Sequence, residues 1–329
     1  ETSCVRSPTV VASAGSLVKD GDSPVDAPFS KGPTRRQNGA ARSADSPQTA
    51  FAGAPSQGPC PLSPTPQVAQ LANPSNYCYL NATANFLAWT LVRARGTHVL
   101  GWPLDEALGL VLRASEVHLP RQQAWRTVLR GWVRPSRQHD VSEFLALLLR
   151  GALPGPLQGH WLGLAAGDVQ VEGMPTAPFL GLPLGRAPDL QGMVTLWSAQ
   201  IHPQGLLRFG LLQVPEILII LVGRFADSPE GQMKDRRSVK PNLTLSIPRL
   251  ERGAPPANFR LGGGVVHIGH HTSSGHYRCF TVHGDSLASH LEPGGCLLHD
   301  DGQQPDSGSL ELLRLVETNS YVLMYSLSA

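Results

Sequence analysis

The chain has 329 residues, 41% of them hydrophobic and 6% aromatic, which is enough for one domain with a sizeable core and some additional sequence. Its 27 Lys and Arg residues nearly balance its 25 Asp and Glu residues, so the formal net charge is only +2. So small an excess gives no electrostatic reason to expect binding to nucleic acid or to an anionic membrane. The most apolar run, residues 216–222, is about a third of the length that spans a bilayer and is typical of a buried strand.

Five cysteines are scattered at positions 4, 60, 78, 279 and 296, an odd number without the close pairs of a zinc knuckle or a redox dithiol. Free thiols of this kind fit a reducing compartment better than a disulfide framework, so we expect a cytoplasmic or nuclear protein. We therefore expect no structural zinc, and no cofactor.

Residues 1–66 are rich in Ser, Pro, Ala and Gly and almost lack aromatic or periodic apolar positions. Such a segment does not bury enough apolar surface to offset the conformational entropy that it loses on ordering. We predict a disordered leader over 1–66 and a folded domain over 67–329. Within that domain, residues 67–152 are predicted to form a helical lobe and residues 153–329 a β lobe.

Apolar residues at helical spacing follow Cys78 until Gly96 ends the pattern, which predicts a first helix that begins at the cysteine. Further helices are predicted over 104–114, over 122–132 and between Pro135 and Gly151. The last of these has apolar residues at positions i, i+3, i+4 and i+7 from Val141, the stripe of a helix that packs on a core.

The pattern changes to that of strands after Gly155. Residues 216–222 form a continuous β-branched run, typical of a strand that is covered on both faces. Further strands, predicted to complete an antiparallel sheet, lie at 243–247, 259–268, 277–282, 296–298 and 321–326. Helices followed by strands favour an α+β domain of two lobes with a cleft between them.

Candidate chemistry lies at a cysteine, a histidine and an acidic pair. Cys78 follows a turn-forming segment and begins a helix, whose free N–H groups and dipole favour a thiolate. His276 enters a strand after Gly275, so that a base in one lobe can face a nucleophile in the other. Asp300 or Asp301 is placed to orient the imidazole. Taken singly, such residues are more often a buried thiol, a structural histidine and a turn carboxylate.

The segment Asn73-Pro-Ser-Asn-Tyr-Cys78-Tyr-Leu-Asn81 resembles the cysteine box of the ubiquitin-specific proteases. Five further segments resemble motifs of that family and occur in the family's order. They are Gln138–Leu145 (the Gln-x-Asp-x-x-Glu-Phe-Leu helix), Val214–Phe225 (the strand ending in Arg-Phe), His267–Tyr277 (the histidine box), Asp300-Asp301 (the acidic pair) and Asn319–Tyr325 (the closing strand). The resemblance extends over about residues 68–327.

The resemblance implies a papain-like cysteine peptidase fold with a helical thumb lobe and an antiparallel β palm lobe. Its fingers are expected to be reduced, because residues 155–210 are few for that extension. It also implies a monomeric, thiol-dependent hydrolase that cleaves after the C-terminal glycine of ubiquitin, with ubiquitin conjugates as its partners. Two alternatives stay open: an inactive ubiquitin-binding scaffold of the same fold, and a peptidase for a ubiquitin-like modifier.

By position, the resemblance makes Cys78 the nucleophile and His276 its base. Asp300 would orient the imidazole, with Asp301 as the fallback. Asn73 matches the asparagine that stabilises the oxyanion, a role that suits an amide donor.

The resemblance further implies residues that bind the tail of the modifier. Asp140 matches a carboxylate that meets an arginine of the tail, which is a favourable charge-assisted pair. Gln138 opens the same motif. Gly275 and Tyr277 are expected to wall the narrow channel for the paired glycines of the tail.

The chain departs from the family pattern close to the nucleophile. Ser75 and Tyr77 stand where the family has Gly and Thr, and Pro74 stiffens the same turn. A side chain as large as that of Tyr77 is expected to crowd the oxyanion site.

Overall fold

The computed structural model describes residues 68–93, 101, 103–149, 160–164, 170–175, 179–202, 205–228, 231–271, 274–283, 295–307 and 310–328. All of them belong to a unit that spans Leu62–Ala329. The predicted leader over 1–66 lies outside the described residues.

The described residues form helices first and then strands with two further helices between them. The helices are α1 (Cys78–Arg93), α2 (Leu104–Arg113), α3 (Gln123–Val128), α4 (Val141–Leu148), α5 (Leu190–Ser198) and α6 (Leu310–Asn319). The first strands are β1 (Gln70–Leu71), β2 (Glu116–Val117), β3 (His160–Leu164), β4 (Gln170–Pro175), β5 (Leu180–Pro183), β6 (Ala199–His202), β7 (Gly205–Gln213) and β8 (Ile217–Gly223). The others are β9 (Phe225–Ser228), β10 (Gly231–Lys234), β11 (Thr244–Ile247), β12 (Ala257–His271), β13 (Ser274–Val282), β14 (Cys296–His299), β15 (Asp306–Ser307) and β16 (Ser320–Leu327).

Helix α1 lies between the helical lobe and the sheet, packed against α2 and α4 and against β12 and β13. Residues 78–90 are all buried, polar ones included. The hydroxyl groups of Thr83 and Thr90 donate to carbonyl groups one turn back, at 2.7 and 2.8 Å, so their burial leaves no donor unpaired. The first residue of this helix, Cys78, is therefore held where the two lobes meet.

The third predicted helix is shorter than the sequence pattern suggested. We predicted one helix over 122–132, but α3 ends at Val128 and a 3₁₀ turn follows over Leu129–Gly131. The N–H of Trp132 bonds to the Leu129 carbonyl at 2.9 Å, as expected of a tightened last turn. The helical lobe also contains a short parallel pair, β1 with β2, that was not predicted.

The main sheet has the order β15-β14-β13-β12-β16-β8-β5 along its principal path. Strand β8 is buried on both faces, as predicted: Ile217 and Ile219 belong to the core beneath the helical lobe, while Leu218 and Ile220 belong to a second core on the far side. Helices α5 and α6 contribute to that second core, and neither was predicted. The predicted strands of this sheet pair antiparallel, as expected, but the sheet as a whole is mixed, because β5, an edge strand that was not predicted, runs parallel to β8.

A smaller sheet of order β4-β3-β7-β6 occupies the part of the chain where reduced fingers were expected. The α+β fold with a helical lobe and a β lobe is thus confirmed. Among the helices that the structure describes, none is both long and apolar enough to cross a membrane.

Candidate active site

The nucleophile candidate begins helix α1. The Tyr77 carbonyl accepts the first hydrogen bond of this helix, from the Asn81 N–H at 2.9 Å. The N–H groups of the first turn have no partner within a helix, and they create partial positive charge beside Cys78. The cysteine is a free thiol that is only 4% exposed. It therefore lies at the end of a helix whose charge suits an anion.

His276 on β13 connects the cysteine to the acidic pair. Its Nε2 lies 2.6 Å from Oδ1 of Asp300, which follows β14. A hydrogen bond with the Cys78 side chain and the bond to Asp300 raise the pKa of His276 to about 9, although burial opposes this. The structure thus brings the side chains of Cys78, His276 and Asp300 together, with a hydrogen bond between the last two.

Asp301 is engaged by two asparagines instead of by the histidine. Its Oδ2 accepts from the Asn73 amide and its Oδ1 from the Asn81 amide, both at 2.8 Å. Its carbonyl accepts from the Leu71 N–H at 3.1 Å, and its φ is +47°, a conformation that Asp tolerates better than most residues. The distance from Oδ2 to Nε2 of His276 is 3.8 Å. Asp301 therefore ties the acidic turn to the segment before the cysteine.

The Asn73 amide is held from both ends. Its Oδ1 accepts from the Tyr77 N–H at 2.9 Å, and its Nδ2 donates to Asp301. These two bonds determine which way the amide points, and an amide nitrogen has a second hydrogen for a further acceptor.

The substitution at Tyr77 is accommodated by the helical lobe. The ring packs edge-on against His118, with ring centroids 6.1 Å apart, and joins the core beneath that lobe. Ser75 Oγ bonds to the Ser136 carbonyl at 3.3 Å. Both unusual side chains are thus held by neighbours in the helical lobe.

Asp140 caps helix α4 and joins the two lobes. Its Oδ1 accepts from the Ser142 N–H at 2.7 Å, which is the bond of an N-cap. Its Oδ2 accepts from the Tyr321 hydroxyl at 3.0 Å and from the Tyr277 hydroxyl at 3.3 Å. Burial raises the pKa of both tyrosines, so they remain donors. An arginine that binds Asp140 has to enter beside these hydroxyl groups or displace one of them.

Gln138 and Tyr277, two further predicted tail-binding residues, differ in their surroundings. Tyr277 is 1% exposed, and its hydroxyl bonds to Asp140. Gln138 is partly exposed, but its Nε2 is buried and has no hydrogen-bond partner among the described residues. Gln138 therefore offers a free donor, whereas Tyr277 is already engaged.

Gly275 lies on β13 with its Cα close to the backbone of Ile268 on β12. Its φ is +132°, which side chains disfavour, and a Cβ would overlap the Ile268 carbonyl and lie 2.7 Å from His267 Nε2. We expect Gly275→Ala to lower the free energy of unfolding by about 1–3 kcal/mol, because the strand that holds His276 has to shift. Urea denaturation would measure this. The matched control is Gly181→Ala, where a Cβ meets nothing within 4 Å; equal stability of the two variants would contradict the prediction.

Three functional contacts were not predicted from the sequence. Asn81 was part of the quoted cysteine box, but its bond to Asp301 needed the tertiary structure. Arg278 bonds to Asp300 at 2.9 Å, and its place two residues after His276 was the available signal. Tyr321 lies within the closing strand and gave no separate signal.

The donor atoms of His276, Asp300 and Asp301 all lie within 4.8 Å of one another, as in some metal sites. Each of the three side chains is already paired with a neighbour in the described structure. Hydrogen bonding explains this cluster, and we assign it no metal.

A cysteine that starts a helix in one lobe, beside a histidine that lies on a strand of the other lobe and bonds to a carboxylate, defines a papain-like cysteine hydrolase. A model of the family described as ubiquitin carboxyl-terminal hydrolase matches residues 168–325. No match to a curated protein sequence was found. Over these residues, which are somewhat less than half of the chain, the sequence is similar to that family, in agreement with the resemblance of its motifs to the ubiquitin-specific proteases.

Solved structures agree with this fold. The SAGA Ubp8/Sgf11/Sus1/Sgf73 DUB module matches with a TM-score of 0.58 and 15% identity, over 82% of this chain and 71% of that chain. The module with Ubp8(C146A), bound to monoubiquitin, matches with a TM-score of 0.58 and 14% identity, over 82% and 72%. The module bound to ubiquitin aldehyde matches with a TM-score of 0.55 and 15% identity, over 80% and 70%.

Proposed function

We propose that the chain is a deubiquitinating enzyme that hydrolyses peptide or isopeptide bonds after the C-terminal glycine of ubiquitin. The observation that carries this proposal is the grouping of Cys78, His276 and Asp300 at the junction of the two lobes, with His276 bonded to Asp300. The family model supports the class of substrate, and two similar structures are described as bound to monoubiquitin and to ubiquitin aldehyde.

The reaction follows from the positions of these side chains. Cys78 gives its proton to His276 and its sulphur attacks the carbonyl carbon of the terminal glycine. The Asn73 amide and the N–H of Cys78 stabilise the negative oxygen that forms. His276 then protonates the leaving amine, which departs and leaves an acyl-thioester. Water, deprotonated by His276, attacks the thioester and releases the ubiquitin carboxylate and the thiol.

The roles of the remaining predicted residues belong to the same proposal. Asp300 keeps the imidazole in place, and Asp301 holds Asn73 by accepting a hydrogen bond from its side-chain amide. Asp140 and Gln138 receive the polar groups of the ubiquitin tail, while Gly275 leaves room for its glycines. We further propose that the enzyme acts as a monomer in the cytoplasm or the nucleus.

The pKa of His276 determines how activity depends on pH. The imidazolium that protonates the leaving amine persists until about pH 9, the pKa of this group. We expect kcat/KM for ubiquitin that carries a C-terminal aminocoumarin to stay high through neutral pH and to fall above about pH 9. Initial rates from about pH 6 to about pH 10 would measure the profile. A decline that begins near neutral pH would contradict the assignment.

The function is tested by mixing the purified chain with ubiquitin that carries a C-terminal electrophile, with parallel probes built on ubiquitin-like modifiers. We expect a covalent adduct with ubiquitin, and peptide mass spectrometry is expected to place it on Cys78. An adduct with another modifier alone would keep the chemistry and change the substrate. Ubiquitin binding without any adduct, from a folded chain, would favour a scaffold.

A further inference from the structure

The carboxylate that faces the histidine also faces a second cation. Asp300 accepts from His276 through Oδ1 at 2.6 Å and from Nη2 of Arg278 through Oδ2 at 2.9 Å. The carboxylate side chain is only 12% exposed, whereas that of Arg278 is 31% exposed. The charge of Asp300 is thus divided between the imidazole and a guanidinium.

Strand register explains why Arg278 reaches this carboxylate. Strands β13 and β14 are antiparallel, with Cys279 opposite His299. Continuing by one residue along each strand places Arg278 opposite Asp300, where cross-strand side chains are in reach of each other. His276, two residues earlier on the same face of β13, approaches the same carboxylate diagonally.

In this contact, one of the hydrogen-bond donors of Arg278 is left without a partner. Nε of Arg278 is buried without a hydrogen-bond partner among the described residues. An exposed arginine would keep that donor in water, so burial here has an energetic penalty.

We propose that Arg278 is a positioning residue for catalysis: its guanidinium fixes the Asp300 carboxylate with one oxygen toward His276, and its charge limits how strongly that carboxylate stabilises the imidazolium. The inference rests on the proposed function. Without Arg278, the carboxylate is free to rotate and its charge acts on His276 alone.

Other charged or titratable groups around the imidazole remain in place in such a variant. They are Cys78 from α1, His267 from β12, and Asp300 and Asp301 from the turn after β14. The effect of replacing Arg278 is therefore the loss of one positive charge and one hydrogen-bond donor.

The test compares Arg278→Met and Arg278→Lys in the full chain. The ring titration of His276 is followed by NMR with labelled histidine, and its signal is assigned from a His276→Gln sample. We expect the midpoint to rise by about half a pH unit or more in Arg278→Met, because a nearby cation no longer opposes the imidazolium. Arg278→Lys, which keeps the charge, is expected to return the midpoint toward that of the unmodified chain.

Turnover provides the second readout. We expect kcat/KM on the ubiquitin substrate to fall about tenfold in Arg278→Met and to recover largely in Arg278→Lys, since the carboxylate loses its fixed orientation in the former. Arg249→Met is the matched control, because the Arg249 side chain is 32% exposed and also pairs with a carboxylate, that of Glu251. That variant is expected to keep both the activity and the His276 midpoint.

An unmoved midpoint in Arg278→Met would overturn the inference, whether or not turnover falls, because a purely structural role changes stability and rate alone. The titration needs no substrate. An unmodified chain that fails to react with ubiquitin therefore rejects the proposed function, while the His276 midpoint still decides the role of Arg278.

Discussion

Replacing Cys78 with alanine is expected to abolish turnover of ubiquitin substrates, with a loss of at least about 10⁴-fold in kcat. The reaction needs a bond between sulphur and the acyl carbon, and no neighbouring side chain can supply it. Binding of ubiquitin is expected to persist, since Cys78 lies in the buried first turn of α1 and removal of its sulphur leaves the surface intact. Steady-state hydrolysis and a binding isotherm would measure the two effects.

Cys296 offers a matched control for this experiment. It is 4% exposed, like Cys78, but burial raises its pKa to about 12, so it stays a thiol at neutral pH. Cys296→Ala is expected to retain turnover within about twofold. Turnover that survives Cys78→Ala would reject the mechanism, and equal losses in both variants would indicate unfolding.

Replacing Asn73 with alanine is expected to lower kcat by about 10²–10³-fold with little change in KM, as for the loss of an oxyanion donor. The amide is fixed by Tyr77 on one side and Asp301 on the other, so it needs no reorganisation when the negative charge forms. Steady-state rates over a range of substrate concentrations would separate kcat from KM.

Asn81→Ala is the control, because Asn81 also donates to Asp301 at 2.8 Å but lies outside the proposed oxyanion site. Its expected loss in kcat is below about tenfold, with destabilisation similar to that of Asn73→Ala. If both variants lost kcat equally, Asn73 would act only by supporting the turn before Cys78.

Much of this candidate site can be predicted from the sequence. The cysteine box, the histidine box and the acidic pair are short local patterns, because a helix start, a strand entry and a turn each impose their own residue types. The two-sided burial of β8 is also visible in its continuous β-branched run. By contrast, α6 was missed. Its leucines are interspersed with charged residues, and Leu312 and Val316 become buried only where the helix packs on the second core.

The sequence by itself determined the class of the fold, and it singled out Cys78, His276 and the acidic pair as candidates for one site. Only the tertiary structure decided which partner each carboxylate of the acidic pair has: Asp300 bonds to His276, and Asp301 bonds to Asn73 and Asn81. These partners are separated by more than 200 residues in the case of Asp301, and local patterns contain no information on such contacts. The register of β13 on β14, which sets Arg278 opposite Asp300, likewise arises from packing of the whole sheet.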